Sequence, residues 1–178
     1  LAPSLTITRQ ETDMLLDKIE TPAVLIDIEV AERNIQACQD YCDEHKIALR
    51  PHIKTHKLPR LAQAQIDAGA TGITCQKIGE AEVMAAAGIK DILLTYNILG
   101  PAKLARLRRL HDEIKLSVTA DNLAVLEGLS EAFADADWPQ AVLIECDTGA
   151  TAVACNHPRI PLNWRNRSVK AWGYALLA

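Results

Sequence analysis

The sequence predicts an α/β fold, an incomplete (β/α)8 TIM-type barrel with about six of its eight strands. Three observations carry this reading. From Pro22 to Asp147 short β-branched runs alternate with longer amphipathic stretches, the mark of βα units on a parallel sheet. The strand starts are spaced by roughly one βα unit each, as a barrel or a doubly wound sheet requires. The first strand-to-helix turn, TPAVLIDIEVAERN, has no glycine where a dinucleotide-binding turn needs its fingerprint, so the doubly wound alternative loses its main support.

In order, the candidate strands are AVLIDI (23–28), IALRPHIK (47–54), GITCQ (72–76), DILLTY (91–96), IKLSVTA (114–120) and AVLIECD (141–147). Between them the helices are punctuated. Pro59 and Pro101 suit first-turn positions, where a missing N–H costs nothing, and Gly69 and Gly88 suit C-terminal caps. In the first helix Ala31, Asn34, Ile35, Cys38, Tyr41 and Cys42 follow helical spacing, which predicts a core-facing stripe and makes Cys38 and Cys42 packed thiols rather than metal ligands.

Composition narrows the function. With 178 residues, 49% hydrophobic and 24% charged, the chain has apolar material for one core and too little length for two full domains. A net charge of -4 argues against nucleic acid or an anionic membrane as the main partner. No apolar run approaches the roughly 18 residues that span a bilayer, and no basic region leads into an apolar stretch, so a cytoplasmic protein is expected. Five cysteines without a C-x-x-C pair fit reduced thiols better than a disulfide frame.

Charge is unevenly spread. All 23 acids fall in residues 1–150, whereas 151–178 contain Arg159, Arg165, Arg167 and Lys170 and no acid. That tail has no sustained helical or strand period, and it reads as a basic extension unlike the text before it.

Reactive side chains of a barrel gather at the C-terminal strand ends, and here those ends are polar in turn: Lys54, Gln76 and Lys77, Tyr96 and Asn97, Thr119 and Asp121, Asp147. The segment Arg50-Pro-His-Ile-Lys-Thr-His-Lys57 carries the most chemistry. Strand alternation places Arg50, His52 and Lys54 on one face, where crowded cations and partial burial would favour a neutral Lys54 amine able to attack a carbonyl and form a Schiff base. A solvated basic loop following a strand is the plainer alternative. Zinc on His52 and His56 is weaker, because Pro51 and the extended run before it disfavour the helix that such spacing needs. A nucleic-acid loop is weaker still, lacking interleaved aromatics.

TPAVLID (21–27), RPHIKTHK (50–57), AGATGITCQKIGEAEVMAAAGIKDILLTYNILG (68–100) and ECDTGA (145–150) together resemble the pyridoxal-phosphate enzymes of the D-threonine aldolase and D-serine dehydratase group, whose barrel is of the alanine racemase N-terminal type. The resemblance covers nearly all of residues 20–150. It implies that Lys54 is the Schiff-base lysine of pyridoxal 5'-phosphate, that His52 lies beside the cofactor ring and that Gln76 contacts it. Asp147 matches the acid of a D-x-G turn and is given no chemical role. The implied reaction is retro-aldol cleavage of a D-β-hydroxy amino acid to glycine and an aldehyde, with dehydration of D-serine or a hydroxyaspartate as the alternative and a non-enzymatic pyridoxal-phosphate carrier as an alternative of another class. The resemblance also implies a homodimer and a divalent metal, whose ligands come from a later β domain and are absent from this chain.

The resemblance stops abruptly at Thr151, where an arginine-containing run like RCGVQSP is expected and TAVACNHP stands instead. Reading possible codons of TAVACNHP one base toward the 5′ side permits RCGVQSP, and the same frame continues into a string with acids, an amphipathic helix, a glycine stop and a strand. The expected organisation is therefore a lead-in (1–20), a partial cofactor-binding barrel (21–150) and a frameshifted tail (151–178). Such a chain is expected to be truncated, inactive as it stands, and prone to association through unpaired strand edges.

Overall fold

The computed structural model describes residues 16–145 and, as backbone, 169–173. The chain divides into two compact units, residues 1–33 and 34–178. Within the first, Asp27 starts helix α1 (Ile28–Glu44): its Oδ1 accepts the Val30 N–H at 3.0 Å, satisfying one of the donors that a helix start leaves open. The expected strand AVLIDI is absent. Val24, Leu25 and Ile26 are exposed and pair with no strand, because β-branched composition supplies a strand's preference but not the neighbour that makes it one.

The second unit is built on a parallel sheet in chain order: β1 (Ile73–Cys75), β2 (Asp91–Leu94), β3 (Lys115–Ala120), β4 (Gln140–Ile144) and β5 (Val169–Gly173). Helix α2 (Pro59–Ala68) precedes β1, and α3 (Ile78–Ala86), α4 (Pro101–Glu113) and α5 (Leu123–Ala132) connect β1 to β4. Pro59 and Pro101 open their helices as expected, and Asn122 caps α5 by accepting the Val125 N–H at 3.1 Å. Gly69 closes α2 at φ 130°, a conformation that side chains with a Cβ resist.

Strands β1 and β2 are buried on both faces, as a sheet covered by helices demands. Ile73, Ile92, Leu94, Val118 and Val142 from the strands meet Met84, Leu107, Leu126, Leu129 and Phe133 from the helices in one core. At roughly 1.5–3 kcal/mol for each fully buried large aliphatic chain, this core outweighs every surface ion pair of the molecule. One polar clamp lies inside it. Buried His111, at the end of α4, has Nδ1 3.0 Å from Gln140 Oε1 on β4, while Gln140 Nε2 donates to the carbonyls of Leu116 at 3.0 Å and Ala141 at 2.8 Å.

Three further expectations are corrected. The run 47–54 forms only an isolated parallel bridge, His52 opposite Thr74, although Ile53 N–H to Thr74 O and Thr74 N–H to Pro51 O, at 2.9 and 2.8 Å, align it along β1. The buried stripe of α1 is Gln39 and Cys42, with Tyr41 and Cys38 exposed. It turns toward α2, where a Cβ on Gly69 would stand 3.1 Å from the Gln39 side chain. Finally, Val169–Gly173 is a strand, with Gln140 opposite Val169 and Ile144 opposite Gly173, in a tail expected to lack one. The rest of that tail, with Cys155, and the stretch holding Cys146 and Asp147 lie outside the described residues. With parallel strands in sequential order and α-helical crossovers from β1 to β4, the architecture is an incomplete TIM-type barrel.

Candidate active site

The RPHIKTHK segment leaves the sheet immediately after its bridge. The Lys57 N–H closes a turn on the Ile53 carbonyl at 2.8 Å, and Lys57 takes φ 54°. Lys54 stands on that turn, exposed, at the end where β1 and β2 finish. It has no ion pair among the described residues.

The expected crowd of cations is dispersed. Arg50 turns to the opposite end of the strands, where its Nη1 lies 2.8 Å from Asp91 Oδ1, and Lys57 Nζ lies 3.0 Å from Glu80 Oε1. Two of the five basic or imidazole groups are thus paired with acids far away in sequence. What stays beside Lys54 is His52. The Lys54 N–H donates to His52 Nδ1 at 3.2 Å, and His52 Nε2 lies 3.5 Å from Thr95 Oγ1 at the end of β2.

Burial holds His52 below the ordinary imidazole range, and the Lys54 ammonium adds to the shift, against smaller opposing effects of Glu80 and a hydrogen bond with Gln76. The hydrogen-bond pattern agrees, since a ring nitrogen that accepts an N–H carries no proton. Gln76, at the end of β1, therefore meets His52 as well. Its backbone N–H donates to Glu80 Oε2 at 2.8 Å. Burial pushes the Glu80 carboxyl up, but Lys57 and the backbone N–H groups of Gln76 and Lys77 outweigh this and hold it below the usual carboxylate range.

His52, Lys54 and Gln76 are therefore neighbours. Glu80, Thr95 and Glu145 were not singled out from the sequence. Glu80 had a signal, an acid in the first turn of a helix that follows a strand; Thr95 had none. Glu145, at the end of β4, is raised by burial and by the nearby Asp121 carboxylate, against a hydrogen bond from Thr119. His56 does not join His52 in a metal site. Its Nδ1 accepts the Leu58 N–H at 3.0 Å, and among the described residues no group of three or more His, Cys, Asp or Glu converges.

Pyridoxal phosphate needs an amine free to condense with its aldehyde and polar groups that do not compete for that amine. Lys54, without an ion pair and beside a neutral imidazole and an amide, meets this need. Lys54, His52 and Gln76 are the residues that could hold the aldehyde-bearing ring.

A parallel sheet in sequential order with α-helical crossovers from β1 to β4 defines a barrel-type domain. The chain belongs to the family described as alanine racemase, N-terminal domain, which matches residues 26–152. It is 43% identical over 134 residues to a D-threonine aldolase of an Arthrobacter species, covering 75% of this chain and 35% of that protein. To a D-threo-3-hydroxyaspartate dehydratase of Delftia sp. strain HT23 it is 38% identical over 142 residues, covering 78% of this chain and 36% of the relative. The solved D-threonine aldolase of Filomicrobium marinum superposes with a TM-score of 0.73 at 37% identity, over 76% of this chain and 37% of that one. This chain thus spans little more than a third of the length of the relatives it matches. No helix among the described residues is long and apolar enough to cross a membrane.

Proposed function

We propose that this chain is the cofactor-binding part of a pyridoxal-phosphate lyase acting on D-β-hydroxy amino acids, with retro-aldol cleavage to glycine and an aldehyde as its reaction. The observation that carries the proposal is the exposed Lys54 amine, without an ion pair, next to neutral His52 and to Gln76. Likeness to relatives named for aldol cleavage supports the reaction class.

When bound, pyridoxal phosphate supplies an electron sink for the pair released at the substrate's Cα. Lys54 would hold the cofactor through its ε-nitrogen, and its Nζ is the atom that would hold or move a proton. His52 presents a ring that burial and the Lys54 ammonium keep uncharged. Gln76 orients His52 through a hydrogen bond and offers the cofactor a neutral amide. The small-molecule substrate, the cofactor, and assembly as a homodimer with a divalent metal in a longer protein belong to the same reading.

Dehydration is the second reading, favoured by the 38% identity to a hydroxyaspartate dehydratase. Incubation with pyridoxal phosphate and borohydride should leave a pyridoxyl adduct on the peptide containing Lys54, lost in Lys54→Ala. An unmodified peptide in the wild-type chain refutes the cofactor assignment. Glycine plus aldehyde, against a keto acid plus ammonia, separates the two reactions in the protein with its reading frame restored.

A further inference from the structure

A groove of about 760 Å³ lies between the first turns of α3 and α4; Gln76 stands at its edge, and Lys54 and His52 are not part of its wall. Its size suits a small organic ligand. Lys57, Lys77, Lys103 and Arg106 line it against a single carboxylate, Glu80, in a chain whose net charge is -4. Sign is therefore locally inverted.

Lys57 is engaged by Glu80 at 3.0 Å, and Arg106 Nε donates to Glu82 Oε1 at 2.8 Å. Lys77 and Lys103 have no ion pair among the described residues. Lys77 is the N-cap residue of α3, which has no side-chain cap, and Lys103 lies in the first turn of α4, which has no acid there. Both ammonium groups sit where the helix dipole is already positive, an arrangement that an anion relieves. Between the cations the floor is apolar, made by Val83, Met84 and Ile98, and the exposed ring of Tyr96 stands beside it.

We propose that this groove binds an organic anion, a carboxylate or phosphate ester carried on a flat apolar body, with Lys77 and Lys103 holding the charge and the Tyr96–Met84 side receiving the body. The inference goes beyond the proposed lyase activity and stands or falls separately from Lys54.

Calorimetric titration of the whole chain tests it with phenyl phosphate and benzoate as the two head groups, and inorganic phosphate and benzyl alcohol as probes with charge or body alone. One-site binding is expected for phenyl phosphate or benzoate, the tighter of the two naming the head group, and about tenfold weaker binding for each single-feature probe. The exposed pair Lys77→Gln/Lys103→Gln should weaken the anion about tenfold, and Lys103→Glu should do so further, with circular dichroism unchanged. Trapping pyridoxal phosphate on Lys54 should leave the binding intact. Absence of saturable binding, equal binding of inorganic phosphate, indifference to the lysine variants, or blockage by the trapped cofactor each overturns the proposal.

Discussion

Arg50 reaches beneath Gly72 to Asp91, its Nη1 2.8 Å from Oδ1. The other oxygen of the same carboxylate takes Lys115 Nζ at 2.7 Å, so one acid braces the RPHIKTHK segment, β2 and β3 at the end opposite Lys54. Burial raises the Asp91 carboxyl, but hydrogen bonds and charge from Arg50 and Lys115 outweigh it and hold it low. A Cβ on Gly72 would meet the guanidinium and stand 2.7 Å from the Asp91 carbonyl oxygen, which is backbone and cannot swing away. Gly72→Ala is therefore expected to cost about 1–3 kcal/mol, read as a lower urea midpoint at unchanged slope. An unshifted midpoint would contradict this packing.

His52 and His56 give the fold a pH dependence of defined sign. Burial is the first cause that holds each below the ordinary imidazole value of 6.5. The unfolded chain thus takes up these protons at a higher pH than the folded one, so stability is full above about 6.5 and falls as pH drops through the folded values. The urea midpoint should decline between about pH 7 and 5, and His52→Gln/His56→Gln should flatten that decline. Asp91 and Glu80, held low, add a separate loss that begins as pH falls below about 5. Equal slopes in the variant and the parent would assign the pH dependence elsewhere.

Local signals were legible in the sequence, and distant pairings were not. Pro59, Pro101 and Gly69 act through their own backbone chemistry, so their places at helix ends could be read directly. The parallel runs at β1 and β2 were legible because burial on both faces demands continuous apolar text. AVLIDI has the same text and no strand, since a ladder needs a partner. The basic cluster misled for a related reason: Arg50 and Lys57 are neutralised by Asp91 and Glu80, which only the folded chain brings near. Strand alternation singled out His52 and Lys54 but grouped Arg50 with them, and the cofactor roles of Lys54, His52 and Gln76 came from the resemblance.

His111 should be the most costly polar residue of the core to remove. It is buried, its Nε2 lies 3.2 Å from the Trp138 carbonyl, and its ring stacks 5.1 Å from Trp138 and meets Phe133 edge-on at 4.9 Å. His111→Ala empties that space and leaves Gln140 Oε1 buried without its partner, two penalties in one change. A loss of about 2–4 kcal/mol is expected, measured by urea unfolding. His111→Asn, which keeps a donor, should lose less. Equal losses would show that only volume matters.

The frame displacement that we propose near codon 150 makes a prediction about DNA rather than protein. The family match ends at residue 152, beside the point where acids cease and TAVACNHP replaces the expected run. A strand at Val169–Gly173 is compatible with the displaced frame, because parallel pairing uses backbone groups that any residue but proline supplies. Resequencing the gene across this point should find a neighbouring frame that encodes an RCGVQSP-like run followed by further βα units and a β domain. The protein translated from the restored frame should bury the edges of the present sheet and sediment as a discrete species, while the chain as it stands should associate with rising concentration. If no neighbouring frame carries that continuation, the displaced frame is refuted.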